Sequence, residues 1–211
     1  MTTSDTGIIA VILAAGLSSR MAPQNKLLLD FGGEPLVRRL VQEVLASKAK
    51  QVFVVVGHDR WNVRKAIIDL PVTLVENPDY TESQMTSVRA GVLAAPEAAG
   101  YLIIPGDMPL LAAADFDRLI ARFVELGSEK AVVPFDETER GNPIIIPGWS
   151  RAEMYRRGIN FGCRNLLINY PELVAPLKTA EPQFFLDCDT LEAYRDLLAL
   201  FYEKHPLAKP A

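Results

Sequence analysis

The chain has 211 residues, with 22 Lys and Arg against 26 Asp and Glu and a formal net charge of −4. This acidic balance argues against a nucleic-acid partner, and the longest apolar run, residues 7–17, is too short to span a bilayer. Cys163 and Cys188 form neither a disulfide framework nor a Cys-x-x-Cys pair. We therefore expect one globular domain in the reducing cytoplasm, with no nucleic-acid or membrane partner.

The hydrophobic pattern predicts strands that alternate with helices along the chain. The predicted strands are 8–13, 51–56, 72–75, 101–104, 130–133, 143–146 and 184–186. The predicted helices begin with one near 34, followed by 61–70, 83–95, 113–126, 151–157, 163–169 and 190–202. These spacings suit βαβ units and predict an α/β domain with a mostly parallel sheet flanked by helices. Because ligands of such sheets lie outside the carboxyl ends of the strands, the loops after 8–13 and 101–104 are expected to share a cleft.

The loop after the first predicted strand combines small residues, two serines and two cations. Gly16 lets backbone N–H groups approach phosphate oxygens, and Arg20 and Lys26 supply positive charge. The loop lacks the Gly-Lys-Ser/Thr ending of a Walker loop, and Ser18 and Met21 stand where a dinucleotide motif needs glycine. The loop chemistry alone leaves two interpretations open, a phosphate-binding loop and an ordinary first turn.

The run Leu-Ala-Ala-Gly-x-Ser-x-Arg-Met at 13–21, with a lysine shortly after it, resembles the signature of the molybdenum-cofactor nucleotidyltransferase family. One departure is Ala22, where the family usually has glycine. The resemblance implies a Rossmann-like nucleotide-diphospho-sugar transferase fold, with an NTP transferase domain over 1–203 and a C-terminal tail over 204–211. The nucleotide-binding residues that it implies in this loop are Leu13, Ala14, Ala15, Gly16, Ser18, Ser19, Arg20 and Lys26.

Two acidic segments are candidates for holding a divalent metal. Asp107 follows a buried predicted strand, where it is either a turn residue or a ligand, and Mg²⁺ typically takes one or two carboxylates plus substrate phosphates. The run Gly-Asp-Met-Pro around Asp107 resembles the family's metal-binding segment. Asp189 precedes the last predicted helix and has a helix cap as its alternative role. By the resemblance, Asp107 and Asp189 bind Mg²⁺, or Mn²⁺ in its place, with Asp187 as the weaker candidate.

Four further residues are assigned to the substrates by the same resemblance. Ser87 aligns with a serine near the base and ribose of the nucleotide. Arg140 and Asn142 lie in a segment similar to an Arg-Gly-His-Pro run on the acceptor side, with Asn142 in place of the histidine. Arg164 aligns with an arginine that can bind an acceptor phosphate, although Ile159 replaces the family's aspartate. An exposed helical arginine is also an ordinary solvated residue, so this role stays open.

The resemblance implies a Mg²⁺-dependent nucleotidyltransferase that moves CMP from CTP to the phosphate of molybdopterin cofactor and releases pyrophosphate. Ala15 favours the cytidylyl branch over the guanylyl branch. Catalysis is expected from Arg20, Lys26 and Asp107, by alignment and charge neutralisation. The alternatives are guanylyl transfer from GTP, transfer to a sugar phosphate or methylerythritol phosphate, and a carrier that binds nucleotide or cofactor without turnover. A molybdoenzyme or an insertion chaperone would be the protein partner.

Overall fold

The computed structural model describes residues 7–156 and 163–205. The strands are β1 (Ile8–Ala14), β2 (Gln51–Val56), β3 (Thr73–Glu76), β4 (Gly100–Pro105), β5 (Ala131–Phe135), β6 (Ile144–Pro147) and β7 (Val174–Lys178). The α-helices are α1 (Leu36–Leu45), α2 (Arg60–Ile67), α3 (Gln84–Ala94), α4 (Ala113–Glu125), α5 (Ser150–Arg156), α6 (Cys163–Asn169) and α7 (Leu191–Lys204). None of the helices in these ranges is long and apolar enough to cross a membrane.

Within the described residues the strands form one seven-stranded sheet in the order β3-β2-β1-β4-β6-β5-β7. β1 pairs in parallel with β2 and β4, while β6 runs antiparallel to both of its neighbours. The predicted α/β class and mostly parallel sheet are therefore confirmed. Because β1 and β4 run in the same direction side by side, the loops that leave them emerge at one edge of the sheet.

The core lies on both faces of the sheet because β1 is buried along its whole length. Ile8, Ala10 and Ile12 face a cluster that α1, α2, α4 and α7 cover, while the alternate residues of β1 face a cluster under α3, α5 and α6. Gly91 brings α3 close to the sheet, since a Cβ at this position would lie 2.3 Å from Val11 Cγ1. The continuous apolar run of β1 is thus a buried interior strand of the sheet, as its apolar sequence indicates.

One predicted strand is wrong, and one strand was not predicted. Residues 182–184 form a 3₁₀ turn, Pro182–Phe184, and the last strand of the sheet is β7, which pairs in parallel with β5. The apolar run at 184–186 reflects burial, since Phe184 is fully buried without belonging to the sheet. β7 contains Pro176, which cannot donate a ladder hydrogen bond and is tolerated at the edge of a sheet.

The predicted boundary between a domain over 1–203 and a tail over 204–211 stays a prediction. Helix α7 runs to Lys204, two residues beyond its predicted end, and residues 206–211 lie outside the described part of the chain. Thr190 caps the start of α7, because its Oγ1 accepts a hydrogen bond from the Ala193 N–H at 3.1 Å. The adjacent Asp189 does not cap this helix, so its carboxylate is available to other partners.

Candidate active site

The loop after β1 leaves its backbone open to solvent at one point. A Cβ at Gly16 would meet no atom within 4 Å, so nothing blocks the approach of a ligand to this stretch of backbone. Ser18 then takes a left-handed conformation at φ 51°, and two 3₁₀ turns follow, Ser19–Met21 and Lys26–Leu28. These turns place Arg20 and Lys26 at the carboxyl edge of the sheet.

Lys26 joins two carboxylates that are far apart in sequence. Its Nζ donates hydrogen bonds to Asp107, just after β4, and to Asp189 Oδ1, just before α7, the latter at 2.7 Å. Arg20 forms a second ion pair with Asp189. The Cys188 N–H donates to the Asp107 carbonyl at 2.8 Å, which fixes the segment before α7 against the end of β4. The structure therefore brings together Arg20, Lys26, Asp107 and Asp189, the charged residues predicted for the nucleotide and the metal.

These contacts fix the charge states of the cluster. Burial by itself lowers the pKa of Lys26, but the attraction of Asp107 and the hydrogen bonds to both carboxylates outweigh it, and the net shift is upward. For Asp189, burial raises the pKa, while the hydrogen bond and charge of Lys26, with the charge of Arg20, lower it overall. Lys26 is therefore held as a cation and Asp189 as an anion.

Asp187 lies beside this cluster, but within the described residues its carboxylate forms no salt bridge with Lys26 or Arg20. Its pKa is raised by partial burial and then by the negative charges of Asp107 and Asp189. A carboxylate whose charge is disfavoured in this way is a poorer anion than Asp189. The assignment of Asp189 rather than Asp187 to the metal stays a prediction, and this difference in charge is the reason to favour it.

The carboxylate pair suits a divalent metal that binds together with phosphates. Residues 7–156 and 163–205 hold no group of three or more His, Cys, Asp or Glu side chains arranged for a metal. Mg²⁺ commonly takes one or two carboxylates and completes its shell with water and substrate phosphates. Asp107 and Asp189 match that donor set, because both meet one cation, Lys26, in this structure.

A cleft of about 240 Å³ extends from the charged cluster along the end of β1. Leu13, Ala15 and Gly16 line one part of it, and Ser87 lies on the wall formed by α3. Ser87 is buried, and its Oγ accepts a hydrogen bond from Asn77 Nδ2 at 2.9 Å. The structure thus places the predicted residues Leu13, Ala15, Gly16, Ser18, Lys26, Ser87 and Asp107 on one cleft.

The sequence interpretation missed three residues of this region. Tyr80 and Gln84 line the cleft, and Asn77 supports Ser87 and Thr86 from a buried position. All three lie in or just after the turn-rich segment that follows β3, another carboxyl end at the same sheet edge. Their position after a parallel strand was the signal that could have identified them.

Of the residues predicted to bind the acceptor, the structure describes Arg140 and Asn142 but not the side chain of Arg164. In the pairing of β4 with β6, Ile103 lies opposite Ile144, so Asn142 is close to the end of β4 that carries Asp107. The Asn142 N–H donates to the Phe184 carbonyl at 2.8 Å, and Arg140, two residues earlier, is exposed. Arg164 belongs to α6, but its side chain and residue 159 lie outside the described part of the structure.

A family model for the MobA-like NTP transferase domain matches residues 10–173, which include the loop after β1 and Asp107. The chain belongs to this family. It is a nucleotidyltransferase of the MobA-like type, as the motif at 13–21 indicates. The matched range ends at residue 173, before Asp189, so the family match does not itself cover the second carboxylate.

This MobA-like enzyme is similar in sequence to two kinds of curated relatives. It is 27% identical over 191 residues to the molybdenum cofactor cytidylyltransferase of Escherichia coli, which covers 88% of this chain and 92% of that protein. It is 31% identical over 134 residues to the bifunctional protein GlmU of Leifsonia xyli, which covers 62% of this chain. The chain spans 28% of the length of that GlmU and 19% of the Synechococcus one.

Solved structures agree with the fold of the family. A nucleotidyl transferase from Methanothermobacter superposes with a TM-score of 0.81 at 20% identity, covering 93% of this chain and 98% of that one. A Mycobacterium tuberculosis protein in complex with manganese gives a TM-score of 0.70 at 24% identity, covering 92% and 98%. At these identities the likeness establishes the nucleotidyltransferase fold.

Proposed function

We propose that this MobA-like enzyme transfers CMP from CTP to the phosphate of molybdopterin cofactor and releases pyrophosphate. The observation that carries the proposal is the meeting of Lys26 with Asp107 and Asp189 at the mouth of the Gly16 cleft. The choice of CTP and of the acceptor rests on the similarity to the Escherichia coli cytidylyltransferase over nearly the whole of both chains. Ala15 supports the choice of CTP by its resemblance to the cytidylyl branch.

In this reaction an oxygen of the acceptor phosphate attacks the α-phosphorus of CTP, and the bond between that phosphorus and the bridging oxygen of pyrophosphate breaks. The attacking phosphate is already an anion, so the enzyme needs no strong general base. Its task is to align two polyanions and to neutralise their charge. The open backbone at Gly16 and the cations Lys26 and Arg20 supply these functions from one loop.

Asp107 and Asp189 would hold the divalent metal, Mg²⁺ or Mn²⁺. When bound, this ion supplies positive charge to the reacting phosphates. In the described structure Lys26 is bound to both carboxylates, so a phosphate that takes Lys26 must compete with two ion pairs. When a phosphate binds Lys26, it releases the carboxylate oxygens of Asp107 and Asp189, which can then bind the metal. We expect nucleotide and metal to strengthen each other's binding for this reason.

The remaining predicted residues are assigned to the two substrates. Leu13, Ala14, Ala15, Ser18, Ser19 and Ser87 belong to the nucleotide side, and Arg140, Asn142 and Arg164 to the acceptor side. The position of Asn142 beside the end of β4 supports this division, because β6 lies on the side of β4 opposite to β1 and its nucleotide loop. A molybdoenzyme or an insertion chaperone that receives the product stays a prediction.

The test is pyrophosphate release by the purified protein with Mg²⁺ and each of CTP, GTP, ATP and UTP. The acceptors are molybdopterin cofactor, methylerythritol phosphate and a sugar 1-phosphate. Release that needs CTP and molybdopterin cofactor together supports the proposal. Release with GTP instead of CTP would identify the reaction as guanylyl transfer. Release with one of the other acceptors would identify that acceptor as the substrate in place of molybdopterin cofactor. Nucleotide binding without release from any pair would favour the carrier alternative and overturn the proposal.

A matched pair of variants tests the role of the carboxylate cluster. Asp107→Asn keeps the shape of the side chain and removes its charge, and we expect turnover to fall on the order of 10²–10³-fold, by analogy with the loss of one preorganised electrostatic contact. Asp69→Asn is the control, because Asp69 is exposed and pairs with Arg38 at 2.6 Å, away from the cleft. Equal turnover in the two variants would remove Asp107 from the mechanism.

A further inference from the structure

The side chain of Asn25 joins three segments of the chain. Its Oδ1 accepts hydrogen bonds from Ser18 Oγ at 3.2 Å and from the Leu27 N–H at 3.1 Å. Its Nδ2 donates to Asp59 Oδ2 at 3.3 Å. Because Ser18 begins the loop after β1 and Leu27 lies near its end, Asn25 closes the loop on itself and attaches it to the start of α2.

Lys26 lies inside this closed loop. Its backbone N–H donates to Ser18 Oγ at 3.4 Å, and the residue after it, Leu27, donates its N–H to Asn25 Oδ1. The loop also has a short 3₁₀ turn, Lys26–Leu28, that Asn25 caps. Asn25 therefore sets the backbone conformation at Lys26. This conformation determines where the Lys26 side chain starts on its way to Asp107.

Asp59 gives the loop a firm external anchor. Its second carboxylate oxygen accepts from Asn62 Nδ2 at 2.7 Å, and its carbonyl accepts from the N–H of Val63, a fully buried residue of α2. Asp59 holds a left-handed conformation at φ 52°, which is uncommon for non-glycine residues but is one that aspartate adopts more readily than most. A charged acceptor also makes a stronger hydrogen bond than a neutral one.

We propose that Asn25 and Asp59 are positioning residues that hold the loop after β1 so that Lys26 reaches the phosphates. This inference rests on the proposed function, in that Lys26 acts on the nucleotide. Neither residue touches the reacting atoms; each acts through the backbone of Lys26. An error of about 1 Å in the position of a catalytic group can cost about 100-fold in rate, so the loss of this anchor should lower turnover.

The hydrogen bond between Asn25 and Asp59 can be broken and then rebuilt with its polarity reversed. Asn25→Asp keeps the acceptor for Ser18 and Leu27 but places a carboxylate against Asp59. Asp59→Asn keeps one acceptor and loses one of the two hydrogen bonds that Asp59 receives. In the double variant, Asn25→Asp with Asp59→Asn, the amide donates to the carboxylate and still accepts from Asn62. The swap restores every hydrogen bond with the same net charge.

Two readouts on the full-length protein test the proposal. Hydrogen exchange of the Leu27 amide, measured without nucleotide, should be at least tenfold faster in Asn25→Asp and return to the wild-type rate in the double variant. The kcat/KM for MgCTP should fall about 10- to 100-fold in Asn25→Asp and recover to within about threefold in the double variant. The melting temperature should change little throughout, because a purely structural role would lower the melting temperature without lowering kcat/KM.

Each outcome decides the matter. Unchanged Leu27 exchange in Asn25→Asp, or a double variant as impaired as the product of the two single variants, overturns the proposal. Faster exchange with wild-type kcat and KM overturns it as well, because the loop would then be ordered by Asn25 without any effect on Lys26. If the wild-type protein turns over no nucleotide, the proposed function fails, and the exchange data still decide whether Asn25 and Asp59 order the loop.

Discussion

Lys26→Met is the substitution that tests the site most directly. Methionine keeps most of the unbranched stem and removes the ammonium group. In the structure this group serves Asp107 and Asp189 together, and the Lys26 and Asp107 side chains are only 13% and 17% exposed. After the substitution two carboxylates remain, with Arg20 as the cation nearest to Asp189. The variant should therefore lose both folding stability and turnover.

The two losses have different sizes. At 2.7 Å from Asp189 and an effective dielectric constant of 20, the attraction of Lys26 is about 6 kcal/mol before desolvation is subtracted. Exposed ion pairs contribute about 0–1 kcal/mol, and breaking a buried pair costs about 3–5 kcal/mol. Asp189 is 37% exposed, so solvent screening places this cluster between the two cases. We expect a loss of about 2 kcal/mol and a melting temperature about 4–8 °C lower.

Turnover should fall much further, by about 10²–10³-fold, because the phosphates lose a preorganised cation. A loss of about 2 kcal/mol leaves a protein of ordinary stability almost fully folded, so unfolding does not account for a drop of this size. The assay is pyrophosphate release from MgCTP with molybdopterin cofactor as the acceptor, in single-turnover conditions, with thermal unfolding measured on the same samples. A drop of less than about threefold in turnover would refute the role given to Lys26.

Lys48→Met is the matched control for this experiment. Lys48 is 56% exposed and its Nζ lies 3.9 Å from Asp117 Oδ2, which is a weak surface pair. We expect wild-type turnover and a melting temperature within about 2 °C of the wild type. Comparable losses in Lys48→Met and Lys26→Met would show that the assay reports general charge loss rather than the site.

Two predictions concern stability away from the charged cluster. In Gly91→Ala the new Cβ would lie 2.3 Å from Val11 Cγ1 and 2.8 Å from Val55 Cγ2. The overpacking should cost up to about 3 kcal/mol, which outweighs the gain of about 1 kcal/mol in helix propensity. Calorimetry should therefore show a melting temperature about 4–8 °C lower than that of the wild type. An unchanged melting temperature would contradict the close packing of α3 against the sheet. The second prediction concerns Asp69, whose carboxyl pKa is lowered from 3.8 to about 2 by the hydrogen bond from Arg38. The stabilisation that this ion pair gives is complete at pH values above the pKa of Asp69 in the unfolded chain, and it is lost as the pH falls toward 2. Urea unfolding should therefore show a deficit for Asp69→Asn at pH 7 that narrows between pH 4 and pH 2, and a constant deficit would contradict this ion pair.

Much of the fold could be predicted from local patterns. The apolar run of β1 and the alternation of strands with helical stripes predicted a parallel α/β sheet, because both patterns reflect burial over a few consecutive residues. The same method misplaced the last strand. Phe184 belongs to an apolar run that packs into the core from a turn, whereas β7 is a half-exposed edge strand with an internal proline. Burial and strand formation diverge at such edges.

The sequence by itself determined the loop chemistry at 13–26 and the position of Asp107 directly after a buried strand. Asp189 was predicted to join them only through the family resemblance. Its contact with Lys26 is decided by the tertiary structure, since the two residues are 163 positions apart and the contact depends on how the segment before α7 returns to the end of β4. The same holds for the attachment of Asn25 to Asp59. Local patterns record which residues are buried or turn-forming, but the order of strands in the sheet decides which loops meet.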